Sequence, residues 1–318
     1  MLQNPNLGDP MMQCQNVTRL PSPARTLWMG FRNRKARHNG TEEIPALSAS
    51  LPGLAINDNH LTRYKALCGL KGGGVPPFYP LTLAYPMSLR LLSQKAVPFS
   101  MFRMLNRKIA MSQHQPIPPG EPFDIHSAIA SHTVKKNGID LHVSTRISID
   151  DTTFWSCTNT FFFKGAGITQ KSVIPEPQVG TKATYSEVED ETSNDIRLAG
   201  EKTRSTSWPL PHGNGFRFAR VCGDSNGIHY SALYARMLGF EGAFAQPMLV
   251  MDKCLEKAGW KAMEERFSAT VRLKGQLYYG RELTLAYGDT AEGKSFDLFC
   301  EGNERPCISG ILRIKGEG

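Results

Sequence analysis

The chain has 318 residues, of which 40% are hydrophobic and 21% are charged. This balance is typical of folded globular proteins and excludes the disordered and fibrous classes, and the length is sufficient for two domains. The formal net charge of +8 favours an anionic partner, so nucleic acid, an anionic membrane surface and a phosphate-bearing carrier are the candidates.

The sequence carries no signal for membrane insertion, secretion or metal binding. No stretch reaches the roughly 18 apolar residues that cross a bilayer, and the first residues lack the features of a secretory signal, so we expect a cytoplasmic location. The seven cysteines never stand at C-x-x-C spacing, so we expect reduced, buried thiols and no metal site. No nucleic-acid-binding motif is present, and nucleic acid is therefore not an expected partner.

The first 40 residues are rich in basic side chains. Trp28 and Phe31 are interleaved there with Arg25, Arg32, Arg34, Lys35 and Arg37. Because runs of charge are usually solvated, we predict a basic tail over residues 1–40. The alternative is a short amphipathic segment that binds a surface.

Two halves of the chain show similar motifs in the same order, as expected after an old duplication. Residues 64–69 match residues 218–223, and residues 84–87 match residues 245–248. A polar segment with prolines and glycine, but without periodicity, separates the halves. We therefore predict the following organisation: a first repeat over 41–165, a linker over 166–194 and a second repeat over 195–318.

Each repeat is predicted to hold one helix followed by strands, an α+β arrangement. One helix starts after Pro86 and the other after Pro247, because proline suits a first helical turn whose N–H groups have no partner. The second helix has apolar residues three and four apart, and Gly259 ends it. The predicted strands are Phe123–Val134, Ile139–Ile149, Phe154–Lys164, Phe267–Leu273, Glu282–Tyr287, Ser295–Glu301 and Ile308–Ile314.

A polar turn that precedes the second helix is the most informative motif. It places a carboxylate and an imidazole five residues apart, and it reads Gly223-Asp224-Ser225-Asn226-Gly227-Ile228-His229. The second helix follows it, introduced by Ala245-Gln246-Pro247-Met248. The same residue types also favour an ordinary turn, in which His229 caps a neighbouring carbonyl group.

These motifs resemble the MaoC-like family of (R)-specific enoyl-thioester hydratases and 3-hydroxyacyl-thioester dehydratases. The resemblance covers roughly residues 55 to 318. In the second half it is carried by the polar turn, Leu238-Gly239-Phe240 and Met248-Leu249. In the first half it is carried by Tyr64, Cys68-Gly69, Pro76-Pro77, Tyr79-Pro80 and Ala84. It implies a double hotdog, in which a long central helix is wrapped by an antiparallel β-sheet, twice. The chain departs from the family pattern at Gly227, where the family has proline, and at Gln246-Pro247, where it has histidine and glycine.

The resemblance implies that Asp224 and His229 are the catalytic pair, since both groups can hold one water and exchange its proton. Which of the two deprotonates the water stays open. The supporting residues that orient the turn are Asn226, Ser225 and Gly223. The first half lacks this pair, because Leu70 follows Cys68-Gly69. By resemblance, that half widens the groove for the acyl chain.

The thioester oxygen needs a hydrogen-bond donor as enolate character develops. In the family, the backbone N–H of the glycine after histidine supplies it at the start of the central helix, where unpaired amides favour negative charge. Pro247 has no N–H to donate here. Three possibilities follow: the Met248 amide donates, the Gln246 side chain donates, or the protein binds acyl thioesters and turns them over poorly.

The expected function is therefore hydration of trans-2-enoyl thioesters or, in reverse, dehydration of (R)-3-hydroxyacyl thioesters, within fatty acid or polyketide metabolism. A catalytically impaired acyl-thioester-binding or scaffold protein is the alternative. The expected partner is acyl-CoA or an acyl carrier protein, and no separate cofactor is expected, because the substrate itself carries coenzyme A or phosphopantetheine. A homodimer is a further possibility. A hotdog thioesterase is less favoured, because Asp252 is predicted on the polar face of the second helix.

Overall fold

The computed structural model describes residues 13–33, 44–135, 137–164, 203–260, 266–291 and 293–314. The α-helices in these residues are α1 Pro23–Arg32, α2 Asp58–Cys68, α3 Leu81–Leu92, α4 Asn214–Cys222, α5 Ala232–Met237 and α6 Met248–Lys257. The strands are β1 Gln13–Asn16, β2 Leu47–Leu54, β3 Met104–Gln113, β4 Phe123–Lys135, β5 Gly138–Ile149, β6 Thr152–Lys164, β7 Arg204–Pro209, β8 Phe267–Leu273, β9 Glu282–Thr290, β10 Gly293–Cys300 and β11 Ile308–Ile314. Within the described residues, no helix is long and apolar enough to span a bilayer.

The strands form one sheet in the order β1-β2-β4-β5-β6-β3-β8-β11-β10-β9-β7. Strands β1 to β6 come from the first half of the chain and β7 to β11 from the second. The halves join where β3 pairs antiparallel with β8, from Lys108 opposite Arg272 to Gln113 opposite Phe267. All predicted strands are present, and the α+β arrangement is confirmed.

Helices α3 and α6 are the central helices of the two halves. Eleven of the twelve residues of α3 are buried, which is typical of a helix that is apolar on all sides and lies within a core. Helix α6 begins directly after Pro247 and ends before Gly259, whose φ of 71° stops the helix as predicted. Six of the seven cysteines are buried free thiols, also as expected, whereas Cys14 is exposed.

The predicted start of the first helix after Pro86 is wrong. Helix α3 begins at Leu81, directly after Pro80, and Pro86 lies in its interior. An interior proline removes the bond to the carbonyl four residues earlier, which usually breaks a helix. The nearly complete burial of α3 outweighs this local cost, because packing of a buried helix contributes more than intrinsic propensity.

The prediction of a solvated tail is wrong for residues 13–33. Strand β1 pairs in parallel with β2, and α1 buries Thr26 and Gly30 against the first half. The side-chain amide of Asn33 donates to the Ser93 carbonyl oxygen at 2.9 Å. The basic residues of this segment suggested a solvated tail, whereas Thr26 and Gly30 form a buried side of α1. The remainder of the predicted tail, and the predicted linker over 166–194, lie outside the described residues.

A buried carboxyl group connects the two halves. Asp252 of α6 is 3% exposed, so its predicted place on a polar face is wrong. It accepts hydrogen bonds from the Tyr64 hydroxyl at 2.6 Å and from the Phe78 amide at 3.1 Å. The Tyr64 oxygen also lies 3.3 Å from the carbonyl oxygen of Met248, the first residue of α6. The first half thus holds the N-terminal turn of the second central helix.

The buried Asp252 makes stability depend on pH. Burial raises its pKa from 3.8 to about 7, although the hydrogen bonds from Tyr64 and Phe78 act in the opposite direction. A carboxyl whose pKa is raised on folding stabilises the folded state below its unfolded pKa, and this contribution is lost as the pH rises through about 7. The Asn side chain of Asp252→Asn stays neutral. We therefore expect the free energy of unfolding of this variant to rise by about 4 kcal/mol relative to that of wild type as the pH goes from 4 to 8.

Urea unfolding across this pH range measures the difference. Asp289→Asn is the matched control, because the Asp289 carboxylate is exposed beside Lys294 and its loss removes only a surface ion pair. Parallel stability curves for wild type and Asp252→Asn would show that the Asp252 carboxyl does not titrate in this range.

Candidate active site

The polar turn starts at the end of α4, where Gly223 has a φ of 73°. A Cβ atom at this position would stand 2.7 Å from the Pro86 side chain. Glycine is therefore needed both for the left-handed backbone and for the close approach of α3. This approach brings Asp224 to the central helix of the first half.

Local hydrogen bonds fix the rest of the turn. Asp224 Oδ1 accepts from the Asn226 amide at 3.1 Å, and Asn226 Oδ1 accepts from the Ile228 amide at 3.3 Å. The second bond caps a short 3-10 helix, Gly227–His229, so Asn226 orients the segment that carries the imidazole. Ser225 contributes its carbonyl oxygen, which accepts from the Tyr230 hydroxyl at 2.9 Å.

The departure from the family pattern at Gly227 has a steric explanation. A Cβ atom at Gly227 would stand 2.8 Å from the ring of Tyr234. Tyr234 lies on α5, whose first turn is capped by the Ser231 side chain. The ring therefore occupies the space that a proline would need. Glycine preserves the turn while Tyr234 packs over it.

Asp224 and His229 form a close, buried pair. Asp224 Oδ2 lies 3.2 Å from His229 Nε2. His229 Nδ1 lies 2.8 Å from the Phe244 carbonyl oxygen, and because a carbonyl only accepts, Nδ1 must carry a proton. Nε2 therefore faces the carboxylate. A carboxylate and an imidazole can both accept and release a proton, so the pair can exchange a proton with a substrate bound beside it.

The pair lies in the wall of a cavity of about 1150 Å³. All of the predicted site residues line it, namely Gly223, Asp224, Ser225, Asn226, His229, Gln246 and Met248. Apolar side chains of the first half, including Leu27, Leu89 and Met101, line another part of the same cavity. A cavity that combines apolar walls with convergent polar groups is typical of a ligand site.

Gln246 is the polar side chain best placed to bind a ligand. It is fully buried, and neither its Nε2 nor its Oε1 has a hydrogen-bond partner among the described residues. An unpaired buried amide costs about 1–3 kcal/mol, so its presence next to a cavity calls for a partner that comes with the ligand.

The Met248 amide is a second donor at the same place. Pro247 adopts helical angles, φ −54° and ψ −37°, and the Leu249 amide already donates to the Gln246 carbonyl oxygen at 3.0 Å. No hydrogen-bond acceptor for the Met248 amide is found within the described part of the chain. Unpaired amides of a first helical turn favour developing negative charge, and Met248 offers one despite the preceding proline.

Sequence reasoning missed Tyr85, a residue of the first half that lines the same cavity as Asp224 and His229. Burial, and then the charge of Asp224, raise the pKa of Tyr85 well above its ordinary value, so the hydroxyl keeps its proton. In the internal repeat, Tyr85 is the counterpart of Gln246 in the second half. This correspondence was the signal in the sequence that could have placed Tyr85 near the site.

Asp252 takes no part in the lining of the cavity. Its carboxyl group points instead at Tyr64 and Phe78, between the two halves. A hotdog thioesterase would need a carboxylate on the central helix that faces the cavity. Neither carboxylate of α6, Asp252 or Glu256, lines the cavity. Asp252 is thus buried rather than solvent-exposed, but it does not face the cavity as the carboxylate of a thioesterase would.

The chain is similar in sequence and in fold to known proteins. The chain is 23% identical over 233 residues to 3-hydroxyacyl-thioester dehydratase X of Mycobacterium tuberculosis, a match that covers 73% of this chain and 75% of that protein. The crystal structure of HtdX from the same organism superposes with a TM-score of 0.64 at 17% identity over 84% of this chain and all of that one. The crystal structure of a MaoC-like dehydratase from Phytophthora capsici superposes with a TM-score of 0.67 at 13% identity. This match covers 88% of this chain and 99% of that one.

No family model matches the chain. The structural matches establish the fold, which is the predicted double hotdog. Together with the sequence relative, they confirm the resemblance to the MaoC-like dehydratases.

Proposed function

We propose that the protein catalyses the reversible hydration of trans-2-enoyl thioesters to (R)-3-hydroxyacyl thioesters, carried on coenzyme A or an acyl carrier protein. The main support is the contact of 3.2 Å between Asp224 Oδ2 and His229 Nε2 in the cavity wall. The names of the similar proteins agree with this reaction. Fatty acid or polyketide metabolism is the corresponding setting.

The chemistry needs one transferable proton and one polarised carbonyl group. In hydration, the Asp224–His229 pair removes a proton from the bound water, and the hydroxyl oxygen bonds to C3 of the enoyl group. The pair then returns a proton to C2, so that all atoms of the water are conserved. In dehydration the same steps run backwards, and the C3 hydroxyl group leaves as water. The substrate brings its own carrier, so the chain has to supply only proton transfer and polarisation.

Gln246 and Met248 are the proposed donors to the thioester oxygen. Negative charge develops on this oxygen as the enolate forms, and fixed donors in a water-excluded site stabilise it strongly. The unpaired Gln246 side-chain amide replaces the backbone donor that Pro247 removes, and the Met248 amide assists it.

Pro247 also supports a second candidate function, an acyl-thioester-binding protein with little or no turnover. The missing N–H removes the donor that the family places at this position. The cavity and its apolar walls would then bind the acyl chain without polarising the carbonyl group. A turnover measurement decides between the two functions.

The first test follows the loss of the conjugated enoyl absorbance with crotonyl-CoA and with a longer trans-2-enoyl-CoA. We expect turnover by wild type and its loss in Asp224→Asn, because the amide cannot exchange a proton with His229. Binding of a saturated acyl-CoA, measured by calorimetry, should be nearly equal in the two proteins. Binding without turnover by wild type at either chain length would support the binding protein instead.

Gln246→Leu tests the proposed donor. Loss of one oxyanion donor lowers kcat by about 10²–10³-fold, while binding of a saturated acyl-CoA stays nearly unchanged. The same substitution removes an unpaired buried amide, so we expect a higher melting temperature. Reduced activity in a more stable protein would distinguish a donor from a residue that merely supports the fold. Unchanged kcat would instead point to Met248 as the working donor.

Tyr85→Phe tests the contribution of the first half to the pair. Loss of the hydroxyl removes a polar group from the cavity wall beside Asp224, so kcat/KM should fall while binding of a saturated acyl-CoA stays nearly unchanged. Tyr79→Phe is the matched control, since Tyr79 is also buried but its hydroxyl contacts His60 at 2.9 Å, outside the cavity lining. Equal kcat/KM values for the two variants would exclude a role of Tyr85 at the pair.

A further inference from the structure

We infer that the outward face of α1, defined by Arg25, Trp28, Phe31 and Arg32, docks on an anionic phospholipid membrane. These side chains are exposed and lie on one side of the helix, at spacings of three, four and seven residues. Trp28 is 57% exposed and Phe31 is 68% exposed. Two neighbouring aromatic side chains that are both exposed form a contiguous apolar patch, unlike the singly scattered exposed residues that are normal on a protein surface.

The fold prevents α1 from hiding this face. A Cβ atom at Gly30 would stand 2.1 Å from the Met101 sulfur, so the opposite side of the helix is in close contact with the first half. The bond from Asn33 to the Ser93 carbonyl oxygen fixes the end of the helix. Strand β1, which precedes α1 in the chain, is paired with β2 in the sheet. Trp28 and Phe31 therefore cannot turn inward without breaking these contacts.

Charge identifies the kind of partner. Between residues 10 and 41 the chain has six basic residues, Arg19, Arg25, Arg32, Arg34, Lys35 and Arg37, and no acidic residue. Arg32 lies over the Trp28 ring at 5.3 Å, so a cation and an indole are presented together. Tryptophan prefers the membrane–water interface, and arginine binds phosphate groups there. This combination fits a lipid headgroup layer better than an acidic protein surface, which offers no apolar layer to accept two aromatic rings.

The same helix borders the cavity of the candidate site. Pro23, Thr26 and Leu27 line the cavity on the inward side of α1, while Trp28 and Phe31 point outward. A docked α1 therefore places a wall of the acyl cavity next to the lipid layer. The inference itself is independent of catalytic activity, because it concerns only the attachment of the chain.

Co-sedimentation of the full chain with vesicles tests the inference. We expect binding to vesicles of equimolar phosphatidylcholine and phosphatidylglycerol, weak binding to phosphatidylcholine alone, and loss of binding at high salt. Arg25→Gln with Arg32→Gln should weaken partitioning roughly thirtyfold, since each basic residue near an anionic surface contributes about fivefold. Trp28→Ser with Phe31→Ser should weaken it by at least about tenfold.

The matched control is Leu233→Ser with Met237→Ser. These residues of α5 are also large, apolar and exposed, at 72% and 75%, but no comparable basic cluster surrounds them in the sequence. Binding of this control should equal that of wild type. Equal loss of binding in both pairs of variants would overturn the inference, as would absence of wild-type binding to the anionic vesicles.

A second copy of the chain is the competing occupant of this face. Sedimentation velocity without lipid separates the two cases, because a dimer interface would make the Trp28 and Phe31 variant monomeric while wild type is dimeric. That result would overturn the membrane inference.

If the variants fail to fold, wild type alone remains informative: brominated lipids should quench the exposed Trp28 more than the buried Trp155.

Discussion

The burial of Asp252 between the two halves is the constraint on which the candidate site depends. Its carboxyl group is held by the Tyr64 hydroxyl and the Phe78 amide, both from the first half. The Tyr64 oxygen also contacts the carbonyl oxygen of Met248, at the start of α6. Because Gln246 and Met248 present their donors at this helix start, the position of both donors depends on the contact between the halves. A buried carboxyl is costly to desolvate, so the contact persists only while its partners remain in place.

The site is accordingly a property of the whole chain rather than of its second half. The turn that carries Asp224 and His229 forms from neighbouring residues, yet Gly223 packs against Pro86. Tyr85, Leu89 and Met101 of the first half line the same cavity as the pair. The first half therefore supplies one wall of the cavity, and the second half supplies the polar turn.

The two departures from the family pattern have physical counterparts in the structure. Glycine at position 227 leaves room for the ring of Tyr234. Proline at position 247 removes a backbone donor, while the neighbouring Gln246 amide is buried next to the cavity without a partner among the described residues. Each departure is thus accompanied by a neighbouring side chain that fills the same space or offers the same chemistry.

The sequence by itself determined seven of the eleven described strands, the start and end of α6 and the residues of the polar turn, because alternation, helical spacing and turn chemistry act over a few residues. Only the tertiary structure decided the start of α3, the inward position of Asp252, the approach of Tyr85 to Asp224 and the folded state of residues 13–33. Pro86 and the basic residues near Trp28 follow local rules that long-range packing overrides. Such contacts join residues that lie far apart in the sequence, from Gln13 and Leu47 to Tyr64 and Asp252, and no local pattern records them.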